Sequence, residues 1–223
     1  MKKIAITQRL IENESYYEIR EALDINFSKF IKACGFLPII LPYNVDFKEY
    51  FKEFNIEGIV LTGGNDLNNF KENELSKKRD DFENRLIKFC IQNDIPILGI
   101  CRGMQMVNWC LGGVVEDLLD EEYHCNNLKV SGETGTHNLP SKFHMVYDLE
   151  GNRFMVNSRH HQTCSILSND LKPLHYSEDG TIESAFSENI LLVQWHPERK
   201  ELWKNKKASI ELIEWIKKNR KQL

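Results

Sequence analysis

No stretch of this 223-residue chain is long and apolar enough to span a membrane. The opening Met1-Lys2-Lys3 leads only into a short apolar run, far too brief for a secretory signal. No Cys-x-x-Cys pair occurs among the six cysteines, and no Cys/His spacing matches a zinc motif. A disulfide framework is not expected in a chain of this length that lacks a signal peptide. These absences predict a cytoplasmic protein with no metal, no cofactor and no membrane partner. The net charge is −4, with no dense basic cluster in the body of the chain, so no nucleic-acid partner is expected either. Lysines are concentrated at 204–207 and 217–221, where they read as the solvated face and C-terminus of a last helix. Repeats, low-complexity tracts and linkers are also lacking, so residues 1–223 are read as one domain. Disorder is excluded by a hydrophobic content of 41%.

What is present is an alternation of short apolar runs and amphipathic stretches. Ile4–Thr7, Leu37–Leu41, Gly58–Leu61 and Ile95–Ile100 read as strands, with Pro38 marking an edge or a strand start. Between them lie helical patterns at Tyr17–Cys34, Asp46–Phe54 and Ser76–Asn93. In the first, Phe27, Phe30, Ile31 and Cys34 recur at i, i+3, i+4 and i+7, and Gly35 stops the helix. This rhythm predicts a parallel sheet with helices on both sides. Working groups in such sheets gather at the carboxyl ends of the strands. Residues 116–141 have little periodicity and read as loops. From Leu174 the pattern becomes strand-turn-strand, with Ser177-Glu178-Asp179-Gly180 as the turn. A short strand then runs to Trp195, and a helix is expected at Lys206–Asn219.

The most informative residue is Cys101. It sits in Gly99-Ile-Cys-Arg-Gly103, directly after an apolar strand and before a helical stretch, Met104–Leu111. That is a nucleophile elbow with cysteine at its tip. Flanking glycines permit backbone angles that a side chain forbids, and they are expected to leave the sulfur exposed. The following helix N-terminus places partial positive charge beside it. A cysteine in a soluble chain is most often a small buried hydrophobe. The reactive reading gains from Gln194-Trp-His-Pro-Glu198, which follows another apolar strand. His196 and Glu198 add a base and an orienting acid, the remaining parts of cysteine acyl-transfer chemistry. Arg102 makes either a surface salt bridge or a functional contact on this reading, and His144 and His161 are left without assigned roles.

Five blocks, Gly58–Leu67, Gly99–Gln105, Val156–Gln162, Asp179–Glu183 and Val193–Glu198, resemble the class I glutamine amidotransferases. More narrowly they resemble the peptidase C26 branch of γ-glutamyl hydrolases. The resemblance implies an α/β, flavodoxin-like fold: a mainly parallel central sheet flanked by helices, with a C-terminal antiparallel extension. It implies a Cys101–His196–Glu198 triad and an oxyanion hole formed by the backbone N–H groups of Gly64 and Arg102. Gly63, Gln105, Asn157, Ser158, His160 and Gln162 would line the γ-glutamyl site. The implied activity is hydrolysis of a small-molecule γ-glutamyl amide through a thioester.

Two other functions stay open: a glutaminase subunit that feeds ammonia to a separate synthetase, and a non-catalytic binding protein on the same fold. The intact triad speaks against the second. Relatives in this branch differ in leaving group, among them γ-aminobutyrate, folate polyglutamates and nucleotide-linked phosphoramidates of surface-polysaccharide synthesis. The stretch Ile11–Asp24 is more similar to the polysaccharide-pathway members. Residues 68–79 and 120–142 are expected to shape the leaving-group pocket, and exposed aromatics near the N-terminus point to a homodimer.

Overall fold

A computed structural model describes residues 1–70, 72–125, 142–199 and 202. Its strands are β1 (Lys3–Ile6), β2 (Arg9–Glu12), β3 (Ile19–Ala22), β4 (Leu37–Ile40), β5 (Ile56–Leu61), β6 (Ile97–Ile100), β7 (Val114–Asp117), β8 (Lys142–Tyr147), β9 (Arg153–Ser158), β10 (Gln162–Ile166), β11 (Lys172–Ser177), β12 (Ile182–Phe186) and β13 (Ile190–Val193). Its helices are α1 (Ile25–Ala33), α2 (Phe47–Phe54), α3 (Glu74–Gln92), α4 (Arg102–Cys110) and the short α5 (Glu121–His124).

Nine strands form one sheet in the order β4-β1-β5-β6-β13-β12-β11-β8-β9. Pairing is parallel from β4 through β13 and antiparallel from there to β9. The expected parallel sheet with an antiparallel extension is therefore the architecture observed, and β4 with its Pro38 is the edge strand. The central strands are apolar on both faces because both are covered. Successive side chains alternate between two cores. Ala5, Ile59, Leu61 and Leu192 face one core with α2, α3 and α4. Ile4, Ile6, Val60 and Val193 face the other with α1.

Local chemistry sets the helix ends. The side chains of Asp24, Asp46 and Asn73 accept hydrogen bonds from first-turn backbone N–H groups of α1, α2 and α3. Asp24 also marks a correction. The expected helix from Tyr17 begins only at Ile25, and Ile19–Ala22 is instead a strand paired with Arg9–Glu12. Tertiary partners override the helical pattern there. The Glu21 carboxylate accepts from the Gln8 amide at 2.6 Å and from the Tyr43 N–H at 3.0 Å, which holds the β2–β3 ribbon against the sheet. A second correction concerns Glu116 and Asp117, the start of the expected loop at 116–141, which belong to β7 and pair antiparallel with β10. The Ser177–Gly180 turn forms as expected, closed by the Gly180 N–H to the Ser177 carbonyl. The predicted closing helix at 206–219 and most of the predicted loop at 116–141 lie outside the described residues. Among the described residues no helix is long and apolar enough to cross a membrane.

Candidate active site

β6 and β13 are parallel neighbours with Ile100 opposite Val193. Cys101 follows the end of β6 and His196 lies just past the end of β13. One sheet edge therefore gathers residues almost a hundred positions apart. The Cys101 N–H bonds the Val193 carbonyl at 2.8 Å, tying the turn to the neighbouring strand. Cys101 has φ +52°, ψ −110°, in the left-handed half of the map, as a nucleophile elbow requires. Neither flanking glycine tolerates a side chain. A Cβ on Gly103 would stand 2.3 Å from the Leu61 carbonyl oxygen, and one on Gly99 2.7 Å from that of Gly103. Tight helix–strand packing, rather than exposure, is what these glycines provide. Cys101 is only 8% exposed, so the expectation of an open sulfur is corrected.

His196 Nδ1 lies 2.8 Å from Glu198 Oε1. The Cys101 sulfur is the second side-chain partner of this imidazole. Burial works against charging His196, but the Glu198 carboxylate and the Cys101 sulfur outweigh it and raise its pKa to about 10. Gly63 sits directly against this pair: a Cβ there would meet the His196 ring at 3.0 Å and Sγ at 3.8 Å.

The Thr62–Gly64 turn is held from behind by Arg79, which is fully buried. Its guanidinium donates to the carbonyls of Thr62 at 2.6 Å, Gly63 at 3.0 Å and Gly64. A trans peptide plane sets each N–H antiparallel to the preceding carbonyl. With the Gly63 carbonyl pinned on Arg79, the Gly64 N–H must point the opposite way. Arg79 also pairs with Glu83 at 3.0 Å, and Glu83 and Asp80 both pair with Arg102. The Arg102 side chain is thus buried in an ionic cluster between α3 and α4, not in a surface salt bridge. Burial opposes ionisation of Glu83, yet the two guanidinium groups hold its carboxyl below the usual range.

The other expected site residues fall into two groups. Asn157, on β9, donates to the His196 carbonyl at 3.1 Å and accepts from its N–H at 2.8 Å, so its amide clamps the histidine backbone. Gln105 donates to the Gln162 carbonyl at 3.0 Å and contacts the Gln194 amide at 3.4 Å. Gln194 in turn points its amide at Cys101 Sγ, 3.7 Å away. No role was expected for Gln194. Its place directly after an apolar strand and two residues before His196 was the available clue. The Gln162 side chain itself turns outward to Asp117 at 3.0 Å.

Ser158 and His160 belong to a second buried cluster. Glu183 Oε1 lies 3.4 Å from His124 Nδ1, 3.4 Å from His160 Nε2 and 3.5 Å from His144 Nε2. Ser158 Oγ is 3.5 Å from His124 Nδ1. Burial and the neighbouring His160 lower the pKa of His124, while burial of Glu183 is outweighed by its histidines, which hold it near 2. Among the described residues, His124, His160 and Glu183 are the set whose ligand atoms converge within 4.8 Å, as a metal would require. His144, unassigned from sequence, belongs beside them, whereas His161 meets Cys125 Sγ at 3.5 Å.

Residues 3–198 match the peptidase C26 family. The γ-glutamyl-CDP-amidate hydrolase of Campylobacter jejuni is 38% identical over 202 residues, covering 88% of this chain and 90% of that protein. The γ-glutamyl-γ-aminobutyrate hydrolase of Escherichia coli O157:H7 is 28% identical, covering 80% and 79%. Among solved structures, a glutamine amidotransferase from Thermotoga maritima superposes with a TM-score of 0.59 at 17% identity, covering 96% of this chain and 90% of that one. The fold is therefore that of the class I glutamine amidotransferases. The chain belongs to the peptidase C26 family within that superfamily and is a hydrolase of C–N bonds.

Proposed function

We propose that this chain hydrolyses a γ-glutamyl amide through a thioester on Cys101, with a phosphoramidate as the departing group. The observation that carries the reaction is the Cys101–His196–Glu198 alignment at the ends of β6 and β13. Its similarity to a γ-glutamyl-CDP-amidate hydrolase supports the leaving group.

With its pKa raised by Glu198 and the sulfur, His196 already holds the thiol's proton, so sulfur attacks the γ-carbonyl carbon as thiolate and the carbonyl electrons move onto oxygen. The Gly64 N–H, aimed by Arg79, and the Arg102 N–H, which has no partner within its helix, receive that oxyanion. As the intermediate collapses, the C–N bond breaks and His196 returns its proton to the departing nitrogen. Water then attacks the thioester, giving a proton to His196. The C–S bond breaks and glutamate leaves, which restores the thiolate beside a protonated His196. Glu198 fixes the imidazole so that its Nε2 faces the sulfur throughout.

The second reading, a glutaminase subunit, is separated by one experiment. The purified chain is incubated alone with glutamine and with a substituted γ-glutamyl amide, and glutamate is measured. Turnover of the substituted amide without a partner, with a γ-glutamyl mass adduct on Cys101 that is lost in Cys101→Ala, is the expected result. Turnover of glutamine only after a synthetase is added would replace this proposal with the second reading.

A further inference from the structure

We propose that Arg9 is a specificity residue that binds an anionic phosphoryl group attached directly to the scissile nitrogen. This deepens the γ-glutamyl hydrolase reading above and rests on it.

Arg9 opens β2 and is exposed, yet its position is built. Asn65, itself at φ +50°, clamps the next residue from both sides. The Leu10 N–H donates to Asn65 Oδ1 at 3.1 Å, and Asn65 Nδ2 donates to the Leu10 carbonyl at 2.9 Å. The segment carrying Arg9 is thereby fastened to the Gly63–Gly64 turn. Its side chain then lies across Gly64: a Cβ on that glycine would stand 2.9 Å from Arg9 Cδ and 3.6 Å from Nη1. Glycine at 64, with φ +81°, is the residue that leaves this space.

Charge accounting gives the ligand its sign. Arg9, Gly64, His196, Glu198, Asp24 and Arg199 line one recess. Glu198 is committed to His196 at 2.8 Å, and Asp24 to Arg199 at 3.3 Å. Among the described residues Arg9 has no hydrogen-bond or ion-pair partner, so its guanidinium is left to pair with an incoming anion. A guanidinium fork suits the oxygens of a phosphoryl group.

Distance along the substrate selects among leaving groups. The scissile carbonyl oxygen must reach the Gly64 N–H, and Arg9 lies against that same residue. An anion held by Arg9 must therefore lie close to the nitrogen being released. In a phosphoramidate the phosphorus is bonded to that nitrogen. In γ-aminobutyrate three methylenes separate nitrogen from carboxylate, which carries the charge out of the turn.

The test uses the intact protein and two probes: the γ-glutamyl amide of phenyl phosphoramidate, which has no nucleotide, and a neutral γ-glutamyl anilide. Losing a hydrogen bond to a charged group should lower kcat/KM of Arg9→Ala on the phosphoramidate by about 10- to 100-fold. The loss on the anilide should be far smaller, about 2-fold. Arg9→Lys, which keeps charge but not the fork, should recover part of the phosphoramidate rate. Equal losses on both probes would show that Arg9 only supports the turn and would overturn the inference. So would no loss on the phosphoramidate, or wild-type cleavage of the anilide with none of the phosphoramidate, either of which leaves the hydrolase reading standing. Wild-type cleavage of neither probe would remove the hydrolase reading, and this inference with it.

Discussion

His196 shows how far two neighbours can move one group. Burial alone would keep the imidazole neutral, but Glu198 and the Cys101 sulfur raise its pKa to about 10. Glu198→Gln removes the carboxylate charge, so burial should win and the His196 titration followed by NMR should move to lower pH. The linkage sign follows. A group whose folded pKa exceeds its unfolded value stabilises the fold fully below pH ~6.5. That contribution is lost as pH rises through about 10. Urea midpoints at pH 6 and pH 9.5 should therefore fall more steeply for the wild type than for Glu198→Gln. Arg79 acts at the same scale without touching substrate. Arg79→Lys offers one ammonium where three carbonyls need a planar fork, so the Gly64 N–H loses its aim. The expected result is a fall in kcat of about 100-fold with a smaller change in KM, measured on the neutral anilide. Cys101, His196 and Glu198 were legible as candidates because a cysteine between glycines and a histidine two before a glutamate are local marks. Arg79 was hidden, being one of many charged residues on a helix that reads as solvated, and only the folded chain shows its guanidinium turned inward.

At the scale of elements, the elbow depends on how closely α4 approaches β5 and on what binds it to α3. Gly103→Ala would force Cβ against the Leu61 carbonyl, whose separation of 2.3 Å no rotamer relieves. Helix and strand must part, at a cost of about 1–3 kcal/mol in urea unfolding and with loss of activity. Glu83 carries the other tie. Replacing it with leucine leaves Arg79 and Arg102 facing each other, both buried and deprived of their shared partner. Denaturation should show a loss of about 3–5 kcal/mol. Legibility divides along similar lines. α2, α3 and β4 to β6 were readable because their apolar period is unbroken and each is packed by near neighbours. β3 was mistaken for helix because the Gln8 and Tyr43 contacts that fix Glu21 come from outside its hairpin with β2. β7 and β10 are short and half exposed, so little alternation betrayed their pairing.

For the whole molecule, the decisive fact is where β13 sits. Among the described residues it is the last strand in sequence and the fifth of nine in space, joining the parallel half of the sheet to the antiparallel half. Contacts this distant in sequence are slow to form. In refolding, protection of Cys101 from a thiol reagent should appear together with protection of the β13 amides, and after that of the β1 and β5 amides. Synthesis imposes the same order. The ribosome delivers Cys101 long before His196, and the edge of β6 waits open until residues 190–196 emerge. A nascent chain therefore carries the thiol without the machinery to use it. Proteolysis or premature termination before β13 would yield a fragment that lacks His196 and Glu198 and carries an unpaired, aggregation-prone strand edge. The insertion of β13 thus sets the order of assembly, because Cys101 and His196 cannot meet until residue 196 has been made.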